Sequence, residues 1–149
     1  MNVDAATLQD NKIGVGWVLR DENGKFLGAR CRKMEGAWRP HEADAISLKE
    51  AMSWVKEMQI THCVFVTDLK ILDDACNGTP GEASFGTIVS DYIQLMKHID
   101  YALVEFAYRS ANNVARVLAK AIYSTSDIGE WFITTPDLFI MYCILIMLD

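Results

Sequence analysis

The sequence has few prolines and glycines, which are typical of linkers between domains, and few cysteines, which form disulfide bonds. It holds 3 prolines and 9 glycines among 149 residues, and no stretch rich in Pro, Gly or Ser separates two halves. Its 4 cysteines show neither paired nor metal-ligand spacing, which argues against a disulfide framework and against a zinc site. The expectation is one domain in a reducing intracellular compartment, nuclear or cytoplasmic.

Long hydrophobic runs are also scarce. The longest, Leu138–Leu148, is shorter than the roughly 20 residues that a membrane-spanning helix needs. The start of the chain does not have the basic-then-apolar order of a signal peptide. We therefore expect no membrane association. We interpret residues 127–149 as a C-terminal extension of a domain at residues 1–126. We expect this extension to pack through Leu138–Leu148 on the domain itself, on a protein partner or on a second copy in a homo-oligomer.

Positive charge is in the minority but is concentrated in two segments. The formal net charge of −6 argues against indiscriminate nucleic-acid binding, because that affinity comes mainly from neutralising phosphates. Residues 20–39 nevertheless hold six Lys or Arg against three acids, and residues 106–126 hold Arg109, Arg116 and Lys120 and no acid. The two segments are either ordinary solvated faces or one basic groove, in which Trp38 is available to stack on a sugar or base.

Hydrophobic periodicity predicts an α/β fold with a mixed five-stranded sheet. The first three strands are connected without helices and include a tight turn at Asp21-Glu22-Asn23-Gly24, whereas the later strands need helical crossovers. The predicted element order is βββαβαβα, with a further short helix near residues 69–76. The predicted strands are residues 1–6, 14–20, 25–33, 63–67 and 101–108, and the predicted helices are residues 41–58, 84–98 and 112–123.

Three aspartates lie where a side chain is expected to face the core. Asp4 belongs to the first strand and Asp68 directly follows the apolar strand 63–67. Asp44 shares a helical stripe with apolar residues at positions 48, 51 and 55. Taken alone, each is more often a cap or turn residue.

If the three carboxylates converge, each pair at about 4 Å repels by on the order of 4 kcal/mol at an effective dielectric near 20. A raised pKa, a neighbouring Arg or Lys, or a divalent cation would have to offset that repulsion. An all-oxygen ligand set favours Mg²⁺ or Mn²⁺ as the cation.

Five ordered segments resemble the type 1 ribonuclease H fold, and in particular the reverse-transcriptase-associated ribonuclease H-like domains that are abundant in plants. The resemblance covers nearly the whole chain and implies a three-layer fold with helices on both faces of the sheet. Trp131, Pro136 and Leu138 also resemble the tail of the plant group. The segments are Asn2-Val3-Asp4-Ala5-Ala6 and residues 14–24, 42–56, 66–70 and 109–119.

The resemblance implies metal-dependent endonucleolytic hydrolysis of the RNA strand of RNA–DNA hybrids. It makes Asp4, Asp44 and Asp68 the candidate catalytic and metal-binding residues, with Mg²⁺ or Mn²⁺ as the cofactor. The partner that it implies is an RNA–DNA hybrid or another nucleic acid. The candidate nucleic-acid contacts are Trp38, Arg39, Arg109, Asn112 and Arg116.

The chain departs from the pattern of the active enzymes at three positions. Asp44 stands where they carry Glu, and Arg116 stands where they carry a fourth Asp. The His that many of them place before the last helix is missing, and Ala107 lies nearest that point. Two readings therefore stay open here. One is a hydrolase whose activity is weakened or lost, and the alternative is a non-catalytic nucleic-acid- or protein-interaction module on the same fold.

Overall fold

The computed structural model describes residues 1–70, 86–122 and 128–132. None of the helices in these ranges is long and apolar enough to cross a membrane. The predicted helix near residues 69–76 and the run Leu138–Leu148 lie largely or wholly outside the described residues. The described elements are β1 (Asn2–Thr7), β2 (Lys12–Arg20), β3 (Phe26–Glu35), α1 (Pro40–Glu57), β4 (Cys63–Thr67), α2 (Gly86–Met96), β5 (Ala102–Phe106), a short 3₁₀ helix (Arg109–Asn112), α3 (Asn113–Ala121) and β6 (Ile128–Phe132).

The strands form one mixed sheet in the order β5-β4-β1-β2-β3-β6. Strands β1, β2 and β3 pair antiparallel in sequence, as their short connections require. Strand β4 pairs parallel with β1, and β5 pairs parallel with β4. The α/β fold class with a mixed sheet and helices on both faces is therefore confirmed.

The predicted number of strands was wrong, because the sheet has six. Strand β6 pairs antiparallel with β3, from Gly28 opposite Phe132 to Arg32 opposite Ile128. It lies within the segment that we interpreted as an extension beyond residue 126. The indole of Trp54 in α1 donates a hydrogen bond of 2.6 Å to Glu130 and its ring stacks on Phe132. These tertiary contacts of a five-residue strand are not visible in local sequence periodicity.

Apolar residues pack on both faces of the sheet. The larger cluster joins α1 to one face and includes the fully buried Trp17, Leu48 and Phe65. The smaller cluster lies under α3 and consists of Val18, Ala29, Cys31, Val114, Leu118 and Ile122. The stripe predicted along α1 is buried at Leu48, Ala51 and Val55.

The backbone of α3 lies unusually close to β2 because both sides of the contact are small. A Cβ placed on Gly14 would lie 1.9 Å from the carbonyl oxygen of Ala119, and one on Gly16 would lie 2.7 Å from the Ala119 nitrogen. Ala115 and Ala119 are fully buried against the sheet. This contact fixes the position of α3 beside β1 and β2.

Candidate metal centre and nucleic-acid site

The structure brings Asp4, Asp44 and Asp68 together. One carboxylate oxygen from each lies within 4.8 Å of the others. Asp4 comes from β1, Asp44 from the second turn of α1, and Asp68 from the residue after β4. The parallel pairing of β1 with β4 places this cluster where the sheet changes from antiparallel to parallel order, which is a common ligand position in α/β folds.

Backbone contacts hold two of the three carboxylates in place. The Ala5 N–H donates to an oxygen of Asp4 at 2.9 Å and lies 3.3 Å from an oxygen of Asp44. The hydroxyl of Ser47, one turn further along α1, donates to the Asp4 carbonyl at 2.6 Å and is itself fully buried. Helix α1 is therefore tied to β1 next to the cluster.

Two carboxyl groups in the cluster resist ionisation. Burial and the charge of Asp68 together raise the pKa of Asp4 to about 6, although the hydrogen bond from the Ala5 N–H lowers it. Burial and the charges of Asp4 and Asp68 together raise the pKa of Asp44 to about 8. The pair therefore shares a proton near neutral pH, and a bound cation would favour its release.

Asp68 has a cation beside it. The Arg109 guanidinium donates to Asp68 Oδ2 at 3.0 Å, where the Asp68 side chain is 5% exposed and that of Arg109 is 72% exposed. The hydrogen bond and the charge of Asp68 raise the pKa of Arg109. Arg109, which we predicted as a nucleic-acid contact, is thus placed at the carboxylate cluster and remains open to solvent on its other side.

Basic and acidic side chains line one cavity of about 240 Å³ at this position. Asp4 and Asp44 contribute the acids. Arg109, Arg116 and Lys120 contribute the cations, while Thr7, Pro40 and short apolar residues complete the wall. Lys120 was not among the residues predicted from the sequence, although its i+4 spacing from Arg116 on a helix is a signal that identifies it as a neighbour.

The remaining predicted contacts lie around the site in different environments. Arg39 is exposed at the start of α1, where its N–H donates to the Glu42 carboxylate at 2.9 Å. Trp38, in the loop before it, is 39% exposed, and its indole donates to the Glu35 carbonyl at 3.3 Å. Neither residue lines the cavity, so each is placed at most at the edge of an interface.

The side chain of Asn112 is buried, and its amide is already hydrogen-bonded within the protein. Its side chain donates to the Val3 carbonyl at 2.7 Å and accepts a hydrogen bond of 3.0 Å from Asn2. Asn112 is only 1% exposed, so its amide is not presented to solvent as a contact for nucleic acid. The placement gives it a positioning role instead, because it joins the start of α3 to β1 next to Asp4.

The mixed sheet with helices on both faces, together with a carboxylate cluster built from β1, α1 and the end of β4, defines a ribonuclease H-like domain. The family model described as reverse transcriptase-like matches residues 2–122. The chain belongs to this family. No curated protein matches the chain significantly.

Solved structures with the same fold are distant in sequence. Ribonuclease H1 from the halophilic archaeon Halobacterium salinarum superposes with a TM-score of 0.72 at 18% identity, covering 79% of this chain and 91% of that one. The N-terminal ribonuclease H domain of a Mycobacterium tuberculosis protein, solved as a fusion with maltose-binding protein, gives 0.70 at 15% identity, covering 82% and 90%.

A third structure of this fold contains nucleic acid. LC11-RNase H1, isolated from compost by a metagenomic approach, was solved in complex with an RNA/DNA hybrid. It superposes with a TM-score of 0.64 at 14% identity and covers 80% of this chain and 91% of that one. At these identities the likeness establishes the fold and not the activity.

Proposed function

We propose that this domain binds RNA–DNA hybrids and hydrolyses their RNA strand with the help of a divalent cation, at a rate reduced by its departures at Asp44 and Arg116. The observation that carries the proposal is the convergence of three carboxylates within 4.8 Å on this particular fold. The hybrid bound to LC11-RNase H1 supports the class of ligand.

The residues of the cluster fit a hard cation. All three donors are carboxylate oxygens, which suits Mg²⁺ or Mn²⁺ better than zinc. The raised pKa values of Asp4 and Asp44 reflect burial and repulsion that a cation would relieve. When bound, such an ion activates water and stabilises negative charge on phosphate oxygens.

Each side chain has a distinct role in the proposed function. Asp4 and Asp68 serve as cation ligands, and Asp44 serves as a further ligand or orients the attacking water. Arg109 holds Asp68 in place at 3.0 Å and has a largely exposed side chain that can contact a phosphate. The A-like shape of the hybrid and its 2′-OH groups, not its base edges, provide the recognition.

Incubation of the purified chain with a labelled RNA–DNA hybrid tests the proposal. We expect slow cleavage of the RNA strand with Mg²⁺ or Mn²⁺ and none with a chelator. Asp68→Asn should abolish cleavage. Asp100→Asn is the matched control, because Asp100 is exposed and precedes β5, at the opposite end of the parallel strands β4 and β5 from Asp68. Hybrid binding without cleavage would favour the alternative, a non-catalytic nucleic-acid-binding module.

Several finer assignments stay predictions. They are the plant and retrotransposon-derived origin, the nuclear or cytoplasmic location, and the packing of Leu138–Leu148 on the domain, a protein partner or a second copy. Removal of the residues after Pro136 would test the last of these by gel filtration.

A further inference from the structure

The positive charge of Arg116 is not paired with an acidic side chain in the described part of the fold. It is half-buried on α3 and lines the cavity that contains Asp4 and Asp44. Within residues 1–70, 86–122 and 128–132 it makes no hydrogen bond and no ion pair. Arg109, the other guanidinium of the cavity, is instead engaged with Asp68. The charge of Arg116 is therefore available to a ligand.

The helix that carries Arg116 is fixed relative to the carboxylates. Its neighbours Ala115 and Ala119 are fully buried, and the backbone of α3 lies against Gly14 and Gly16 of β2 without room for a Cβ. Asn112 anchors the start of the helix to β1 through the Val3 carbonyl. The guanidinium therefore extends into the cavity from a rigid support, which favours a well-defined binding geometry.

Charge balance indicates what Arg116 replaces. The three carboxylates of the cluster face three cations, Arg109, Arg116 and Lys120. With all groups ionised, one divalent ion leaves an excess of two positive charges. A site with Asp at position 116 would have four carboxylates and two cations, and would reach the same excess only with two divalent ions. A second ion beside Arg116 would double the excess and meet direct repulsion.

We propose that the guanidinium of Arg116 takes the place of a second divalent ion, so that the site binds a single ion and Arg116, together with Lys120, holds a backbone phosphate of the nucleic acid. The inference rests on the proposed function. A guanidinium suits this role because it can donate two parallel hydrogen bonds to phosphate oxygens. The cavity volume of about 240 Å³ is below the roughly 300–1,000 Å³ of typical small-molecule pockets and suits an ion with one phosphate group.

Counting bound ions tests the first half of the proposal. Titration with Mn²⁺, followed by electron paramagnetic resonance of the free ion, should give one ion per chain for wild type and for Arg116→Met, and two for Arg116→Asp. Circular dichroism checks that each variant is folded. A third variant, Arg116→Lys, retains the positive charge and should also bind one ion. Two ions on wild type, or one on folded Arg116→Asp, would overturn the proposal.

Hybrid affinity tests the second half. Fluorescence anisotropy in Ca²⁺ should show that Arg116→Met weakens binding of a labelled RNA–DNA hybrid by roughly tenfold, as expected for the loss of one charge-assisted contact. Lys97→Met is the matched control for loss of one positive charge, because Lys97 is exposed and follows α2 away from the cavity. Equal affinity of Arg116→Met and wild type would overturn the phosphate contact and leave the proposed function intact. A wild type that binds neither ion nor hybrid would overturn both.

Discussion

Asp4 and Asp44 are costly to ionise together because burial deprives both carboxylates of water. Their pKa values of about 6 and about 8 lie well above the ordinary value of 3.8. Structural carboxylates more often gain partners that lower their pKa. Holding two such groups beside Asp68 therefore causes electrostatic strain, which is relieved when the cluster binds protons or a cation. Strain of this kind is typical of functional sites.

This strain predicts an unusual dependence of stability on pH in the absence of metal. Because the folded pKa values exceed the unfolded ones, the folded state retains protons that the unfolded chain has released, and stability falls as pH rises from about 4 to about 8. With each unit of pKa shift equivalent to about 1.4 kcal/mol, we expect this cluster to lower the free energy of unfolding by about 1–3 kcal/mol between about pH 5 and about pH 8.

Urea unfolding in chelator at several pH values measures this effect. Asp44→Asn should lose less stability than wild type over the same range and should be the more stable of the two at the alkaline end, because its amide cannot ionise. Saturating Mg²⁺ should reduce the loss in wild type and have little effect on Asp44→Asn. A wild-type protein that loses no more stability over this pH range than Asp44→Asn would contradict the assigned pKa shifts.

The sequence allowed the three aspartates to be predicted as a group because each has a local signal. Asp68 follows an apolar strand, and Asp44 lies on the buried stripe of α1. Lys120 and the role of Asn112 could not be predicted in the same way. The i+4 spacing places Lys120 on the same side of the helix as Arg116, but a Lys on a helix is usually solvated, and this spacing alone does not indicate that α3 turns that side towards β1. The burial of Asn112 depends on contacts with Asn2 and Val3, more than 100 positions away.

Helix α3 is the element that distinguishes this site from a simple carboxylate cluster. It delivers Arg116 and Lys120 to the cavity, and its distance from β2 is set by two glycines. A methyl group on Gly14 would lie 1.9 Å from the Ala119 carbonyl oxygen, which is backbone and cannot rotate away. Substitution there must displace the whole helix.

Gly14→Ala should therefore destabilise the domain by about 1–3 kcal/mol or more and weaken hybrid binding by moving both cations. Gly24→Asn is the control, because its Cβ meets nothing within 4 Å and Asn tolerates the positive φ of 80° better than most residues. That variant should lose less than about 1 kcal/mol. Thermal unfolding of the two variants measures the difference, and equal stabilities would show that the close contact of α3 with β2 is not required.

Helices and strands with strong periodicity were predicted well, and their ends less so. Strand β4 was predicted within its observed bounds of Cys63–Thr67, and α1 was displaced by one residue from Pro40–Glu57. The helix predicted at residues 112–123 instead begins with a 3₁₀ turn at Arg109–Asn112. Strand β6 was missed because it is held by β3 and by Trp54, and local periodicity does not report such distant partners.

At the scale of the whole molecule, the proposed function requires a protein of negative net charge to attract a negatively charged ligand. The net charge is −6, so we expect attraction to nucleic acid to depend on local groups of cations, such as the cavity where Arg109, Arg116 and Lys120 converge. Affinity that depends on so few cations should be modest and easily screened.

We therefore expect the logarithm of the hybrid association constant to fall with the logarithm of salt concentration with a slope of about −2 to −3, for two or three phosphate contacts. Between about 50 mM and about 200 mM salt, this slope gives a loss of roughly 15- to 60-fold at a fixed divalent ion concentration. Anisotropy titrations at several ionic strengths provide the slope. Tight binding that is insensitive to salt would indicate a different recognition surface.

The central claim is that Asp4, Asp44 and Asp68 form a hydrolytic metal site whose activity is limited at two positions. Cleavage of a labelled RNA–DNA hybrid at saturating concentration by the double variant Asp44→Glu with Arg116→Asp tests it most directly. Glu at position 44 restores the longer side chain of the active enzymes, so that its carboxylate can reach the ion. Asp at position 116 adds a carboxylate ligand. Because a misplacement of about 1 Å can cost roughly a hundredfold in rate, we expect the double variant to be at least about tenfold faster than wild type.

The single variants should gain less than the double, because residues that share ions are coupled. Asp68→Asn in the double background should remove the activity, as should a chelator. A folded double variant that cleaves the hybrid no faster than wild type would contradict the account.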